Sequence, residues 1–113
     1  LNSHYDLTEG LRASGYVVKP IVGRCGQNIS IFNRREDLIG ETVGGFDSRD
    51  QIYQELFRLP KLDGVNVQIC TFSVAGAYGG ACVRVDPSLI VTQNSDVLPL
   101  RVVADEDFIA SGD

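Results

Sequence analysis

Residues 16–32, YVVKPIVGRCGQNISIF, contain the pattern that decides the fold. The segment opens with aromatic and β-branched residues up to Lys19, where a proline ends the run. A second β-rich run follows at 29–32, and the intervening loop contains Gly23 and Gly26. We therefore predict a β-hairpin with a long, glycine-rich tip.

The flanking sequence predicts one short helix and a second hairpin. Residues 6–14 have apolar side chains at helical spacing, and Gly15 is typical of a helix end. Residues 65–72 alternate between apolar and polar side chains, as a half-buried strand does. A turn at 75–80 and a returning strand at 81–85 complete this second hairpin.

The remaining segments carry weaker signals. Residues 51–57 fit either a helix or a strand, whereas 89–92 and 98–103 read as further strands. From Ala104 the tail is polar and is expected to fray. The fold class predicted for the whole chain is therefore α+β, with mainly antiparallel strands and one or two short helices.

Length and composition indicate one globular domain. The chain has 113 residues, of which 43% are hydrophobic and 22% charged. No run of about 18 apolar residues is present, which argues against a transmembrane helix. The sequence contains no Met and begins at Leu1, so we expect a processed product or part of a longer protein.

Charge is unevenly distributed along the chain. Its net value is −5, which argues against general nucleic-acid binding. Residues 12–35, however, contain five bases and no acid, whereas residues 86–113 contain six acids and one base. An anionic ligand would therefore be expected at the first segment, and a chance surface patch is the alternative.

The cysteines and the single histidine exclude several kinds of site. Cys25, Cys70 and Cys82 form no CxxC pair, and His4 is the one histidine, so a structural zinc site is not expected. His4 lies in the chain start, which is expected to fray, so we expect no base for a cysteine or serine nucleophile. Cys70 and Cys82 lie in apolar strand-like runs and are expected to be buried, and their spacing could bring them close across a hairpin. They would stay thiols in a reducing cytoplasm, which is the compartment we favour.

The hairpin loop is a candidate anion site. Glycines let backbone N–H groups approach phosphate oxygens. Lys19 precedes the loop and Arg24 lies within it, and both can bind phosphate oxygens. The spacing differs from a P-loop, because the lysine precedes the glycines. A tight hairpin tip with solvated basic side chains is an equally good interpretation of the residues alone.

Two other segments could contribute to a nucleotide site. Residues 52–57 could present backbone groups to an adenine edge, although the pattern alone favours an ordinary core strand. Arg84 stands in an apolar strand and could contact a phosphate, or it could form a weak surface pair with Asp86. The acids at 105–107 could bind a metal, but a charged tail is the better interpretation.

The ordered set of these motifs resembles one family. Lys19-Pro20 with Gly23-Arg24-Cys25-Gly26 and Asn28, the run 52–56, Leu59-Pro60, and Gly79-Gly80 with Arg84 are similar to the C-terminal part of glutathionylspermidine synthases and trypanothione synthetases. The resemblance spans about residues 5–103. Many relatives have Glu at the position of Cys25, while others have Cys. This difference bears on the subfamily more than on membership of the family. The resemblance implies a permuted ATP-grasp fold, of which residues 1–113 would be the C-terminal, nucleotide-binding part.

The resemblance also implies a set of site residues. Arg84 would be catalytic and reach toward the transferred phosphate. Lys19 would contact the ATP phosphates, the 23–28 loop would cover them, and residues 54–56 would lie at the adenine hinge. The ATP-binding residues implied are Lys19, Gly23, Arg24, Cys25, Gly26, Gln27, Asn28, Gln54, Glu55 and Leu56.

The implied activity is that of an ATP-dependent ligase. ATP would phosphorylate the glycine carboxylate of glutathione, and a nitrogen of spermidine or glutathionylspermidine would attack the acyl phosphate to form an amide. The family's Mg²⁺ ligands and most of its substrate site lie upstream of the Lys-Pro motif, so this chain alone is expected to be inactive. The alternative is a stand-alone, non-catalytic domain that binds a nucleotide or a protein partner.

Overall fold

The computed structural model describes residues 1–110 and consists of short strands with two short helices. It confirms the α+β class with mainly antiparallel strands. The elements in chain order are β1 (Ser3–His4), α1 (Glu9–Ser14), β2 (Tyr16–Pro20), β3 (Ser30–Phe32), β4 (Leu38–Glu41), β5 (Gln51–Glu55), β6 (Lys61–Leu62), β7 (Val65–Val74), β8 (Ala77–Asp86), β9 (Asp96–Leu98) and α2 (Asp105–Ala110).

The first sheet has the strand order β1-β5-β2-β3-β4, and all its pairs are antiparallel. The predicted hairpin is confirmed, because Tyr16 lies opposite Phe32 across β2 and β3. The ambiguous segment at 51–57 forms β5, which pairs with the other side of β2. This arrangement puts β2 in the centre of the sheet, with the glycine-rich loop leaving its end.

Helix α1 is set by its two ends. The Thr8 hydroxyl accepts a hydrogen bond from the Leu11 N–H, which satisfies one of the donors that a helix start leaves free. Gly15 ends the helix with φ = 87°, in the left-handed region that favours glycine. Leu11 is buried, so its side chain anchors this short helix against the first sheet.

The second sheet has the order β6-β7-β8-β9 and is dominated by one long hairpin. Val74 lies opposite Ala77, and the two residues between them, Ala75 and Gly76, both have positive φ. Positive φ at both central residues is typical of a type I′ hairpin turn. The turn is therefore shorter than the predicted 75–80, and the returning strand begins at 77.

The interior is small, and much apolar surface is exposed. Hydrophobic side chains buried among the described residues are Leu11, Tyr16, Ile31, Val85 and Ile90. The rings of Tyr16 and Phe32 stack with centroids 5.0 Å apart. The distal half of the β7–β8 hairpin instead exposes large apolar side chains, namely Ile69, Phe72, Val74 and Tyr78.

Three predictions near the C-terminus were wrong. Residues 89–92 form no strand, because side chains of the loop bind its backbone in place of a neighbouring strand. The strand predicted at 98–103 is instead β9, which ends before Pro99, a residue without a backbone donor. The tail forms helix α2, whose first turn carries three acids that suit the positive end of a helix dipole. Residues 111–113 of the predicted tail lie outside the described part.

Among residues 1–110, no helix is long and apolar enough to cross a membrane.

Candidate functional site

Lys19 lies near the end of β2, where its side chain is half-buried. Its Nζ donates a hydrogen bond to Gln54 Oε1 at 2.7 Å. Gln54 lies opposite Val17 on the neighbouring strand, so the two side chains meet diagonally on one face of the sheet. Two residues that the sequence analysis assigned to separate parts of a nucleotide site are therefore in direct contact.

The glycine loop, residues 23–28, borders a cavity of about 380 Å³ together with Lys19. Gly23, Arg24, Cys25, Gly26 and Gln27 all line it. Arg24 and Lys19 are the basic side chains of this lining, and their positive charges are complementary to the negative charge of a phosphate group. Asn28 does not line the cavity, because its Oδ1 accepts a hydrogen bond from the Phe46 N–H at 2.8 Å.

The backbone of the glycine loop turns sharply. Cys25, Gly26 and Asn28 all have φ between 54° and 67°. Backbone with left-handed residues of this kind can direct adjacent N–H groups toward an anion. Gly26 is required on steric grounds as well, since a Cβ at this position would lie 2.3 Å from the carbonyl oxygen of Val91.

Thr42 holds the middle of the glycine loop and was not singled out from the sequence. Its hydroxyl donates to the Gly26 carbonyl and accepts from the Ile29 N–H at 3.1 Å. A single threonine in a polar, glycine-rich stretch carries no sequence signal for this role. The contact depends on β4 pairing with β3, which places Thr42 beside the loop.

Backbone donors of the predicted adenine hinge have partners within the chain. The Glu55 N–H donates to the Asn2 carbonyl at 2.8 Å, and the Leu56 N–H donates to the Gly15 carbonyl at 3.1 Å. Neither donor is therefore free to bind a base in this structure. Leu56 lines a different cavity, of about 430 Å³, with Arg34 and Arg58.

The basic side chains of residues 12–35, the acid-free segment, do not lie together at one site. Lys19 and Arg24 lie at the glycine-loop cavity, whereas Arg34 and Arg35 line the cavity beside Leu56. Arg12 forms a salt bridge with Glu36. The local charge of this segment is therefore divided between two cavities and one ion pair.

Arg84 is half-buried on β8 and holds a loop in place. Its Nη2 donates to the carbonyls of Thr92 and Ser95, while its buried Nε has no acceptor among the described residues. No salt bridge joins it to Asp86 within residues 1–110, so the predicted surface pair is wrong. The predicted contact of Arg84 with a transferred phosphate stays a prediction.

The loop that Arg84 binds, residues 87–95, will be called the serine loop. Asp86 accepts hydrogen bonds from the Ser95 hydroxyl at 2.6 Å and from the Ser88 N–H at 2.7 Å. These bonds, that of Ser95 first, hold the pKa of the Asp86 carboxyl below its ordinary value. Asn66, which is buried, donates to the Ser88 carbonyl at 2.6 Å.

The serine loop and the glycine loop meet at Gly26. A Cβ there would contact both the Val91 carbonyl and the side chain of Ile90. A third cavity, also of about 430 Å³, opens between Gln27, Thr42 and Thr92. Arg84 therefore acts on the glycine loop indirectly, through the loop that packs against it.

A divalent metal finds no ready-made site in this part of the chain. Residues 1–110 contain no group of three or more His, Cys, Asp or Glu side chains close enough to hold an ion. The acids at 105–107 lie exposed in the first turn of α2.

All three cysteines are free thiols. Cys25 is exposed in the glycine loop, and Cys70 and Cys82 are half-buried on β7 and β8. Burial, followed by the neighbouring Cys82 thiol, raises the pKa of Cys70.

Comparison with known proteins identifies relatives of nearly the whole chain. A family model described as glutathionylspermidine synthase preATP-grasp matches residues 1–103. The bifunctional glutathionylspermidine synthetase/amidase of Escherichia coli K12 is 46% identical over 103 residues, which are 91% of this chain and 17% of that protein. The trypanothione synthetase of Crithidia fasciculata is 41% identical over 102 residues, which are 90% of this chain and 16% of that protein.

These matches cover only a part of each relative. The chain spans less than a fifth of the length of the relatives that it matches. The matching family model is described as the preATP-grasp region, so it does not support the prediction of a C-terminal ATP-grasp part.

Proposed function

Because this chain belongs to the glutathionylspermidine synthase family, we propose that it contributes phosphate contacts to the ATP site of a ligase that joins glutathione to a polyamine. The ligase would be a longer protein that carries this chain, since the relatives extend far beyond the matched region. An acyl phosphate on glutathione would be the intermediate, and an amine of spermidine or glutathionylspermidine would attack it. The cytoplasm is the compartment we propose.

The observation that carries this proposal is the grouping of Lys19 and the glycine loop around one cavity, with the Lys19 side chain held by Gln54. A transferred phosphoryl group needs preorganised positive charge and N–H donors rather than a protein nucleophile. Lys19 supplies a point charge, and Gln54 orients it. Arg24 adds a second charge at the exposed side of the cavity.

The adenine contacts at residues 54–56 and the phosphate contact of Arg84 belong to the same proposal. The Arg84 Nε supports its part, because a buried donor without an acceptor is rare in folded proteins. Glu55 and Leu56 would need to release their present backbone partners or to contact the base through side chains. Mg²⁺ would be held by residues of the longer protein that lie upstream of this chain.

Substitution of Lys19 in the full-length protein tests the proposal. Lys19→Ala should reduce kcat/KM for ATP by roughly 10- to 100-fold, the effect of losing one hydrogen bond to a charged group. Gln54→Ala should have a smaller effect, since it removes the side chain that orients the lysine. Lys61→Ala is the matched control, because Lys61 is exposed on β6.

Circular dichroism should show that each variant keeps its fold. ATP turnover that is unchanged in Lys19→Ala would contradict the proposal. Nucleotide binding without any ligase activity in the full-length wild-type protein would favour the alternative of a non-catalytic binding domain.

A further inference from the structure

Cys70 and Cys82 lie directly opposite each other on neighbouring strands of the long hairpin. The pairs on either side, Ile69 with Val83 and Thr71 with Ala81, are in unbroken register. The irregularity of the hairpin begins only beyond Phe72. The two cysteines therefore occupy a regular part of the antiparallel ladder.

This placement meets the geometric requirement for a disulfide. Opposite residues of an antiparallel pair have Cα atoms about 4.5 or 5.5 Å apart, depending on the type of pair. Both values fall within the range of roughly 4.4–6.8 Å that disulfides span. Opposite side chains also project from the same face of the sheet, as the two sulfurs must to form a bond.

We propose that Cys70 and Cys82 form a reversible oxidation site, at which a low-molecular-weight disulfide such as oxidised glutathione converts the two thiols into an internal disulfide. This site is independent of the proposed ATP contacts. Both thiols are half-buried, and residues 71–79, beyond Cys70, are exposed, so a small reagent can reach the pair.

The exchange proceeds in two steps that balance. The thiolate of one cysteine attacks a sulfur of the reagent, breaks its S–S bond and forms a mixed disulfide, and one thiol leaves with a proton. The second cysteine then attacks the protein-bound sulfur and releases the other half of the reagent as a thiol. The two protein thiols are oxidised, the reagent is reduced to two thiols, and the two protons end on those thiols.

Cys25 provides an internal contrast. It is exposed in the glycine loop, and the two other cysteines of the chain are paired with each other in the second sheet. The reaction of Cys25 with oxidised glutathione should therefore end at the mixed disulfide. Of the three cysteines of this chain, Cys25 should keep the bound glutathione, whereas Cys70 and Cys82 should expel it.

Peptide mapping of the full-length protein tests the site. Trypsin cleaves after Lys61 and Arg84, so one peptide, 62–84, holds both Cys70 and Cys82. Cleavage after Arg24 and Arg34 puts Cys25 in the peptide 25–34. The protein is treated with oxidised glutathione, its remaining thiols are alkylated, and it is digested without reduction.

Peptide 62–84 should lose both alkyl groups and be lighter by two hydrogen atoms than the unmodified peptide, and a reducing agent should restore alkylation. Peptide 25–34 should carry glutathione or an alkyl group. Cys70→Ser and Cys82→Ser should each leave a mixed disulfide on the remaining cysteine, and Cys25→Ser should leave the internal disulfide unchanged.

Peptide 62–84 that is alkylated twice, or that carries glutathione on both cysteines, would overturn the proposal. A link between this peptide and Cys25 or another chain would overturn it as well. The wild-type and Cys25→Ser measurements decide the matter even where a serine variant on the hairpin does not fold.

Discussion

The glycine loop and the serine loop touch at Gly26, yet they are held in different ways. The serine loop is fastened by side chains of the sheet beneath it, since Asn66, Arg84 and Asp86 all bind its backbone or its serines. The glycine loop is held through Thr42 and through the side chains of Gln27 and Asn28.

The two loops therefore have different expected roles. The serine loop is bound to side chains of the sheet through its backbone and its serines, so we expect it to act as a platform for the glycine loop. The glycine loop keeps residues 23–25 exposed, including the side chain of Arg24. A loop that folds over a phosphate needs such free groups, whereas the surface behind it needs to stay in place.

The largest effect is expected where the two loops meet. Gly26→Ala should cost about 1–3 kcal/mol for the left-handed backbone and a similar amount for forcing the loops apart. Its Cβ would lie 2.3 Å from a backbone oxygen, which is not the end of a flexible side chain. Urea unfolding of the chain measures the loss.

Gly45→Ala is the control for that substitution. Gly45 has no atom within 4 Å of an added Cβ, and its φ is not positive. Equal losses of stability in the two variants would show that the contact between the loops does not matter.

A smaller effect is expected from loosening only the platform. Asn66→Ala leaves the Ser88 carbonyl without its closest donor and should lower the free energy of unfolding by about 1–3 kcal/mol. Asn94→Ala is the matched control on the serine loop, because that side chain is exposed. Denaturant midpoints compare the two, and an Asn66 variant as stable as the Asn94 variant would contradict the assignment of a platform.

The smallest effect is a dependence of stability on acid. The folded-state pKa of Asp86 lies below its ordinary value of 3.8, so its stabilising contribution is present above that pH. This contribution should be lost as the pH falls below 3.8 through the lowered pKa. The wild-type unfolding free energy should therefore decrease in that window.

Asp86→Asn should remove this part of the dependence, and Ser95→Ala should reduce it by removing the strongest donor to the carboxylate. The free energy of unfolding, measured from about pH 5 to about pH 2, would check both predictions, because carboxyl groups ordinarily titrate in this range. Identical pH profiles for the wild type and Asp86→Asn would refute this role of the carboxylate.

The sequence was sufficient where a local pattern decides the conformation. The hairpin at 16–32 was predicted from two β-rich runs and the glycines between them, and its strands are confirmed. The second hairpin followed from alternation at 65–72, although the turn at Ala75 and Gly76 is tighter than predicted. Helix α1 followed from apolar spacing and the terminal glycine.

The sequence was insufficient where side chains compete with the backbone ladder. Leu89, Ile90 and Val91 favour a strand by composition, but Ser88 and Ser95 bind the backbone of this segment. The alternating pattern predicted only that position 66 is polar, whereas the Asn66 side chain is buried in the structure. No local signal distinguishes a polar residue that faces solvent from one that supports a loop.

The sequence by itself determined the two hairpins and helix α1, because these follow from neighbouring side chains, and it predicted residues that could bind a phosphate. Only the tertiary structure decided which of those residues meet. Lys19 reaches Gln54 across 35 positions because β5 pairs with β2, and Val91 lies on Gly26 because Arg84 and Asn66 hold the serine loop. Contacts between distant segments depend on strand pairing and packing, which no local pattern specifies.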